Sequence, residues 1–418
     1  MRLLVYGLNY APELTGTGKY TAEMAEALAV RGHDVRVVTA PPYYPEWRVV
    51  EGWHAWRYRR ETRAGVTVWR APLWVPARPS GATRLVHLAS FALSSAVPMA
   101  RQLRWRPHVV MAVAPTLLCA PAALAVARMT GARAWLHIQD FEVDAAFGLG
   151  MLQSPRAARL ARGVERSLLT RFDVVSSISA KMVERLSRLG VDASKAFCAP
   201  NWVDVEGIRP LDRPSGYRRT LGIRDDAKVV LYAGNMGTKQ GLEHLVHAAI
   251  LLAHRTDICF VFCGEGPTKA RIAERCAALP NCRVLGLQPA ERLNELLNLA
   301  DIHALPQRAD AADLVMPSKL TGMMASARAI VAMARSGTEL HDTVAPRGIV
   351  VEPDDARAFA QAIVSLADDP ARRARLGAEA RRFACETLST ASVLARLEAR
   401  LIECARRATP AIESRRAG

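Results

Sequence analysis

The sequence predicts an α/β protein with two doubly wound parallel sheets in series. Three observations carry this. The 418 residues exceed one ordinary α/β domain and suit two, and half of them are hydrophobic, enough for two cores. Short apolar runs alternate with amphipathic stretches of helical period, the pattern of a parallel sheet covered by helices on both faces. The alternation pauses near residue 200 and then restarts.

RLLVYGLNY, from Arg2, reads as a buried strand, and KYTAEMAEALAVRG as a helix ending at Gly32. DVRVVTA, VVMAVAP, RAWLHIQD, DVVSSIS and AFCAPN continue the strands, with TLLCAPAALAVARMTG a helix among them. NWVDVEGIRPLDRPSG is polar, proline-bearing and aperiodic, so it reads as a linker. KVVLYAGN, ICFVFCGEG, CRVLGL, DIHALPQ, AIVAMA and GIVVEP form the second set of strands. The expected division is a first domain over 1–200, a linker over 201–216, a second domain over 217–385, and a C-terminal helix with a basic tail over 386–418. Paired sheets of this kind place a cleft at the carboxyl ends of both sets of strands.

Basic residues outnumber acidic ones, 56 to 40, a net charge of +16. Such an excess attracts nucleic acid, an anionic membrane face or phosphorylated substrates. Between Glu61 and Asp140 nine arginines stand without a single Asp or Glu. Within that stretch residues 85–100 are uncharged, flanked by Arg84 and by Arg101, Arg104 and Arg106, with Trp47, Trp53, Trp56, Trp69 and Trp74 nearby. An apolar helix with basic and tryptophan-bearing flanks suits contact with an anionic membrane surface; a core helix with a solvated basic rim is the plainer alternative. No recognition motif for nucleic acid accompanies the charge. MRLLVYGLNY lacks the cleavage site of a signal peptide. Residues 109–127 are uncharged, but Pro115 and Pro121 cut them, and they read as strand plus helix rather than a membrane span. Eight scattered cysteines without a CxxC pair read as reduced thiols, and Cys259 and Cys263 have no partner pair with metal-ligand spacing. The expected location is cytoplasmic, peripheral on the inner membrane.

Candidate site residues fall at strand ends. Gly16 and Gly18 precede a helix, where backbone N–H groups and the helix dipole favour a phosphate. The turn is not a P-loop, since Glu13 and Tyr20 stand where that motif needs Gly and Ser or Thr. Gly234, Asn235, Gly237 and Gln240 form a second such turn, in which Lys239 is either a cation for a diphosphate or a solvated surface lysine, and Gly264 and Gly266 a third. His137 and Asp140, with Glu142 and Asp144, end a strand where a general acid/base or a ligand of substrate hydroxyls belongs. Met316, Ser318 and Lys319 precede a helix; Ser318 is either its N-cap or a nucleotide ligand, and Lys319 is a cation for the diphosphate or the donor sugar.

The segments YGLNYAPELTGTGKYTAEMAEAL, VVTAPPYYPEW, LHIQDFEVDAAFGLG, LYAGNMGTKQGLEHL, VFCGEGP and LVMPSKLTGMMAS together resemble the retaining GT-B glycosyltransferases of the GT4 type. More narrowly, the chain is similar to the colanic-acid fucosyltransferases of bacterial exopolysaccharide clusters. The resemblance implies two facing Rossmann domains, a nucleoside diphosphate held mainly by the second and an acceptor held mainly by the first. It implies a nucleotide-sugar donor such as GDP-fucose, a polyprenyl-diphosphate-linked glycan acceptor, and no cofactor or obligatory metal. The backbone at Gly16 and Gly18 would face the diphosphate, and either His137 or Asp140 would hold the donor-sugar hydroxyls. Two departures stand out. The Arg and Lys of the family's GR…KG turn are Asn235 and Gln240 here, with Lys239 one place off. The family's paired glutamates are replaced by Leu314 and Gly322, which leaves Asp313, Ser318 and Lys319 to bind in their stead. Rival readings are a sugar-nucleotide epimerase on a similar scaffold and a non-catalytic glycosyltransferase-like scaffold at the membrane.

Overall fold

The computed structural model describes residues 1–13, 16–115, 117–142, 154–308 and 317–407, with the side chains of Pro155, Ala157 and Lys239 outside that description. The chain divides into two units, Met1–Pro200 with Leu394–Gly418, and Asn201–Val393.

The first unit holds β1 (Arg2–Gly7), β2 (Asp34–Thr39), β3 (Arg59–Arg63), β4 (Val66–Arg70), β5 (Val109–Ala114), β6 (Arg133–Ile138), β7 (Val174–Ser177) and β8 (Ala196–Cys198). Their order is β3-β4-β2-β1-β5-β6-β7-β8. Every pair is parallel except β3 with β4. Winding reverses between β1 and β5, so the carboxyl ends of those two strands mark the switch point. Both strands are buried almost throughout, as their unbroken apolar runs require. The antiparallel β3–β4 hairpin is absent from the sequence-based reading. Its two-residue turn, Ala64-Gly65, has φ of +45° and +80°, the left-handed pair that matches strand twist. RRETRAGVTVWR alternates charge with bulk and so lacks the apolar run that betrays the other strands.

The second unit holds β9 (Lys228–Ala233), β10 (Ile258–Cys263), β11 (Cys282–Leu285), β12 (Ile302–Leu305), β13 (Ala329–Met333) and β14 (Ile349–Val351), in the order β11-β10-β9-β12-β13-β14 and all parallel. Here the switch point lies between β9 and β12. The two-residue period of β9 sorts its side chains. Val230 and Tyr232 pack among Leu245, Val246, Phe359 and Ile363 on one face, while Val229 and Leu231 meet Leu296 and Leu297 on the other. Full burial of each such aliphatic side chain contributes about 1.5–3 kcal/mol, which fixes the strand's register and hence where its carboxyl end points.

The last helix among the described residues, Thr390–Arg406, begins in the second unit and ends in the first. Glu398 on it accepts from Arg31 at 2.6 Å and pairs with His33 at 2.7 Å.

Candidate active site

In the second unit, β9 runs into Gly234, whose φ of +148° turns the chain sharply at the switch point. The turn after β10 locks onto it. Met236 N donates to Glu265 O at 2.8 Å, and Thr268 Oγ1 to Met236 O at 2.8 Å. This interlock explains two glycines. A Cβ on Gly264, at φ +148°, would lie 1.9 Å from Gly234 O, and one on Gly266, at φ +150°, would lie 2.5 Å from Met236 O. Both are required by backbone approach, whatever else they do.

Over the Gly234 turn lies Lys319, second residue of the helix Ser318–Ala325. Its Nζ donates to Tyr232 Oη at 2.8 Å and to Gln240 Oε1 at 2.6 Å, and sits 4.4 Å from the Tyr232 ring centre. Tyr232 in turn donates to Asn235 O at 2.5 Å. The lysine side chain would be in ordinary contact with any Cβ at Gly234, at 3.5–3.7 Å. Lys319 keeps some solvent contact along its length, but its ammonium is enclosed by protein, and that loss of hydration draws its pKa down to about 7. The structure thus gathers Gly234, Gln240 and Lys319, with Tyr232, which reads in sequence only as a buried strand residue. Asn235 is exposed on the same turn, and Gly237 lies 3.4 Å, from its Cβ direction, from Asn235 Nδ2. Ser318 is not an N-cap: Pro317 occupies that position, and Ser318 is exposed in the first turn. Asp313, Met316 and the Lys239 side chain lie outside the described residues.

In the first unit, Gly16 opens the helix Gly16–Val30 at φ +58°. Gly18 has a packing reason to be glycine: a Cβ there would lie 2.7 Å from Glu13 Oε2. His137, on β6, is buried in an internal network. Gln139 Nε2 donates to its Nε2 at 2.9 Å, and its Nδ1 donates to Ser176 Oγ at 2.9 Å, which also accepts from Trp135 Nε1 at 2.7 Å. Burial draws its pKa down to about 4, so the ring is neutral and both nitrogens are engaged by protein. Asp140, three residues on, is exposed beyond the strand end. Close by, Glu142 accepts from Leu117 N at 2.7 Å, and burial, with Asp140 and Glu165 nearby, pushes its pKa up to about 7. Among the described residues, no group of three or more His, Cys, Asp or Glu side chains converges to hold a metal ion.

The arginine-rich stretch is less uniform than its composition suggests. Arg63 pairs with Glu26, Arg70 with Glu61 and Arg133 with Asp173, at 2.9 Å each. Trp47, Trp53 and Trp69 lie under the guanidinium groups of Arg84, Arg59 and Arg60, and Trp56 stays exposed. The helix Gly81–Ser94 buries only His87 and Phe91 and exposes Leu85, Val86 and Leu93. Among the described residues no helix is long and apolar enough to cross a membrane.

Two doubly wound units, each with a glycine turn at its switch point, are the architecture expected of a GT-B glycosyltransferase. Residues 15–202 match the glycosyl transferase 4-like domain, and residues 227–369 match the glycosyl transferases group 1. The chain is 44% identical over 373 residues to the colanic acid biosynthesis glycosyl transferase WcaI of Escherichia coli (strain K12), covering 87% of this chain and 91% of that one. Among solved structures it resembles sucrose-phosphate synthase from Thermosynechococcus elongatus, with TM-score 0.74, 18% identity and coverage of 96% and 98% of the two chains. It also resembles Anabaena HepE in complex with UDP, with TM-score 0.70, 15% identity and coverage of 96% and 100%. The chain belongs to the GT4-type glycosyltransferases and is an enzyme of that class.

Proposed function

We propose that this enzyme transfers a sugar, fucose from GDP-fucose, to a lipid-linked oligosaccharide during exopolysaccharide synthesis of the colanic-acid kind, with retention of anomeric configuration. The observation that carries the reading is Lys319, held over the Gly234 turn by Tyr232 and Gln240. A diphosphate seated on that turn meets backbone N–H groups and one enclosed cation. The donor's C–O bond loosens, the leaving diphosphate gathers charge, and Lys319 with the turn's amides stabilises it without a metal. Lys239, Asn235, Gly237, Gly264, Gly266, Asp313, Met316 and Ser318 complete the nucleotide contacts on this reading, and the Gly16 and Gly18 turn is the first unit's own phosphate-binding turn. The sugar becomes oxocarbenium-like, and the acceptor hydroxyl attacks from the leaving-group face, its proton passing to the departing phosphate. For the donor-sugar hydroxyls Asp140, exposed beyond the strand end, is favoured over the buried His137. The name of the E. coli relative supports the pathway, and the resemblance supports the donor and the polyprenyl-diphosphate acceptor.

The same reading places the enzyme on the cytoplasmic face of an anionic membrane. The exposed row of Leu85, Val86 and Leu93, with Arg84 at one end and Arg101 and Arg104 beyond the other, supports it. The deciding experiment incubates the enzyme with GDP-fucose and with UDP- and other GDP-linked sugars, with and without a synthetic polyprenyl-diphosphate-linked hexose. Acceptor-dependent release of GDP is the expected result. Sugar isomerisation without acceptor would replace the transferase with an epimerase, and binding without turnover would leave a scaffold.

A further inference from the structure

Glu13 is 6% exposed, an unusual place for a loop carboxylate. One of its oxygens, Oε1, accepts from the backbone N–H groups of both Tyr43 and Tyr44, at 3.0 and 3.1 Å. The other, Oε2, accepts from Asn9 Nδ2 at 2.9 Å. These bonds join two loops that leave the carboxyl ends of neighbouring strands, β1 and β2. The second loop closes on itself: Arg48 N donates to Tyr43 O at 3.2 Å and Val50 N to Pro42 O at 3.0 Å.

The two tyrosines point to different fates. Tyr43 is buried, its ring 4.8 Å from the imidazole of His87 and 5.7 Å from Trp47 in edge-on packing. Tyr44 is 40% exposed, and its Cε1 lies 4.0 Å from where a Cβ on Gly16 would stand. An aromatic face is therefore displayed beside the first glycine turn, at the end of the sheet where doubly wound folds bind ligands. Arg70 braces the same corner. Only 2% exposed, it donates to Ala40 O at 2.9 Å, to Ala11 O, and to Glu61.

We propose that Glu13 is a positioning residue of the acceptor subsite: its carboxylate pins the backbone of Tyr43 and Tyr44 to the β1 turn and so fixes the Tyr44 ring as the stacking face for the acceptor sugar. The inference rests on the transferase reading above. Gly18 follows from it, since a side chain there would displace the carboxylate. Two backbone N–H groups donating to one buried oxygen tie the second loop to the first at adjacent residues, a restraint that rests on the acceptor oxygen and not on its charge, since burial pushes the Glu13 carboxyl above its ordinary value. A sugar ring resting on an aromatic face depends on that face being held in place before binding.

The test compares Glu13→Ala, Glu13→Gln with Asn9→Asp, and Tyr44→Ala in steady-state transfer from GDP-fucose to a synthetic polyprenyl-diphosphate-linked hexose, with donor affinity measured by calorimetry. Glu13→Ala and Tyr44→Ala are expected to raise the acceptor KM by about tenfold or more, with kcat and donor affinity changed less than about threefold. Glu13→Gln, combined with Asn9→Asp so that the new Nε2 meets an acceptor in place of the Asn9 amide, is expected to recover most of the acceptor affinity, because its amide oxygen still accepts from both N–H groups. Should Glu13→Ala fail to fold, the half-exposed Tyr44→Ala carries the test. An unchanged acceptor KM in Tyr44→Ala overturns the proposal. So does a Glu13→Gln, Asn9→Asp variant as impaired as Glu13→Ala, which would separate the acceptor subsite from the bonds to Tyr43 and Tyr44. A wild-type enzyme that binds no nucleotide sugar overturns the transferase reading together with it, whereas wild-type transfer with indifferent variants overturns this inference alone.

Discussion

Replacing Lys319 by Gln tests the donor site most directly. Enclosure draws the ammonium down to about 7 from the ordinary lysine value, which corresponds to about 5 kcal/mol of lost hydration for the charged form. A phosphate oxygen about 4 Å away returns about 4 kcal/mol per unit charge at an effective dielectric constant near 20, so a diphosphate offsets the cost and keeps the lysine protonated. Two consequences follow. Lys319→Gln should weaken nucleotide-sugar binding by about 2–3 kcal/mol, or about 30- to 150-fold, as for other enclosed charge partners. Binding should also take up a proton above pH 7. The free lysine loses its proton as pH rises through about 7, the bound one at higher pH, so wild-type affinity should fall by up to about tenfold per unit in that window. Calorimetry with a nucleotide sugar, in paired buffers of different ionisation enthalpy, reads both quantities. The geometry adds a rescue. Lys319 Nζ and Gln240 Oε1 are 2.6 Å apart, so exchanging the two residues, Lys319→Gln with Gln240→Lys, returns a cation to nearly the same point. Affinity should recover to within about tenfold of wild type. Binding by Lys319→Gln within threefold of wild type, or binding with no proton uptake between pH 7 and 9, would refute the reasoning.

The remaining expectations concern both units. Gly264→Ala forces a methyl to 1.9 Å from the Gly234 carbonyl at a φ of +148°, so it should destabilise the second unit by about 3 kcal/mol or more, visible as a lowered thermal midpoint. Asp140→Asn should abolish transfer while leaving the midpoint within about a degree or two, whereas His137→Gln should cost stability and retain turnover; the reverse pattern would return the donor-sugar role to His137. Burial draws His137 down to about 4 and His303 down to about 3, so both enter the fold neutral. The unfolded chain takes up protons first, so stability is fully present above the ordinary histidine range and is lost as pH falls toward 4 and then 3. His137 alone should account for about 3 kcal/mol of that loss, measured by urea unfolding between pH 7 and 4.

How much of this was legible in the sequence depended on the kind of signal. RLLVYG, VVMAVA and ICFVFC announce strands because burial on both faces demands unbroken apolar runs. The β3–β4 hairpin was hidden because its edge position tolerates alternating arginine, and the burial of Arg70 depends on Glu61 across the hairpin. Glycine turns were legible from spacing, yet their reasons were not. Gly264 and Gly18 answer to a carbonyl and a carboxylate brought near only by the fold. Lys319 stood out beside a helix start. Its support by Tyr232 did not, since a tyrosine in KVVLYA reads as one more core residue. Glu13 was invisible for the opposite reason: a glutamate in a turn ordinarily faces water, and only the amides of Tyr43 and Tyr44 show otherwise.

The closing helix gives the chain an order of assembly. Glu398 supplies the partner for Arg31 and His33, and Arg400 donates to Ser194 O at 2.9 Å, so the first unit is finished by residues synthesised after the second. Residues 1–200 emerging alone lack those partners, and a truncation after Val393 would remove them together with the buried Leu394, Leu397 and Leu401. Shortening the C-terminus should thus be felt at the opposite end of the chain, around the connection that follows the first helix.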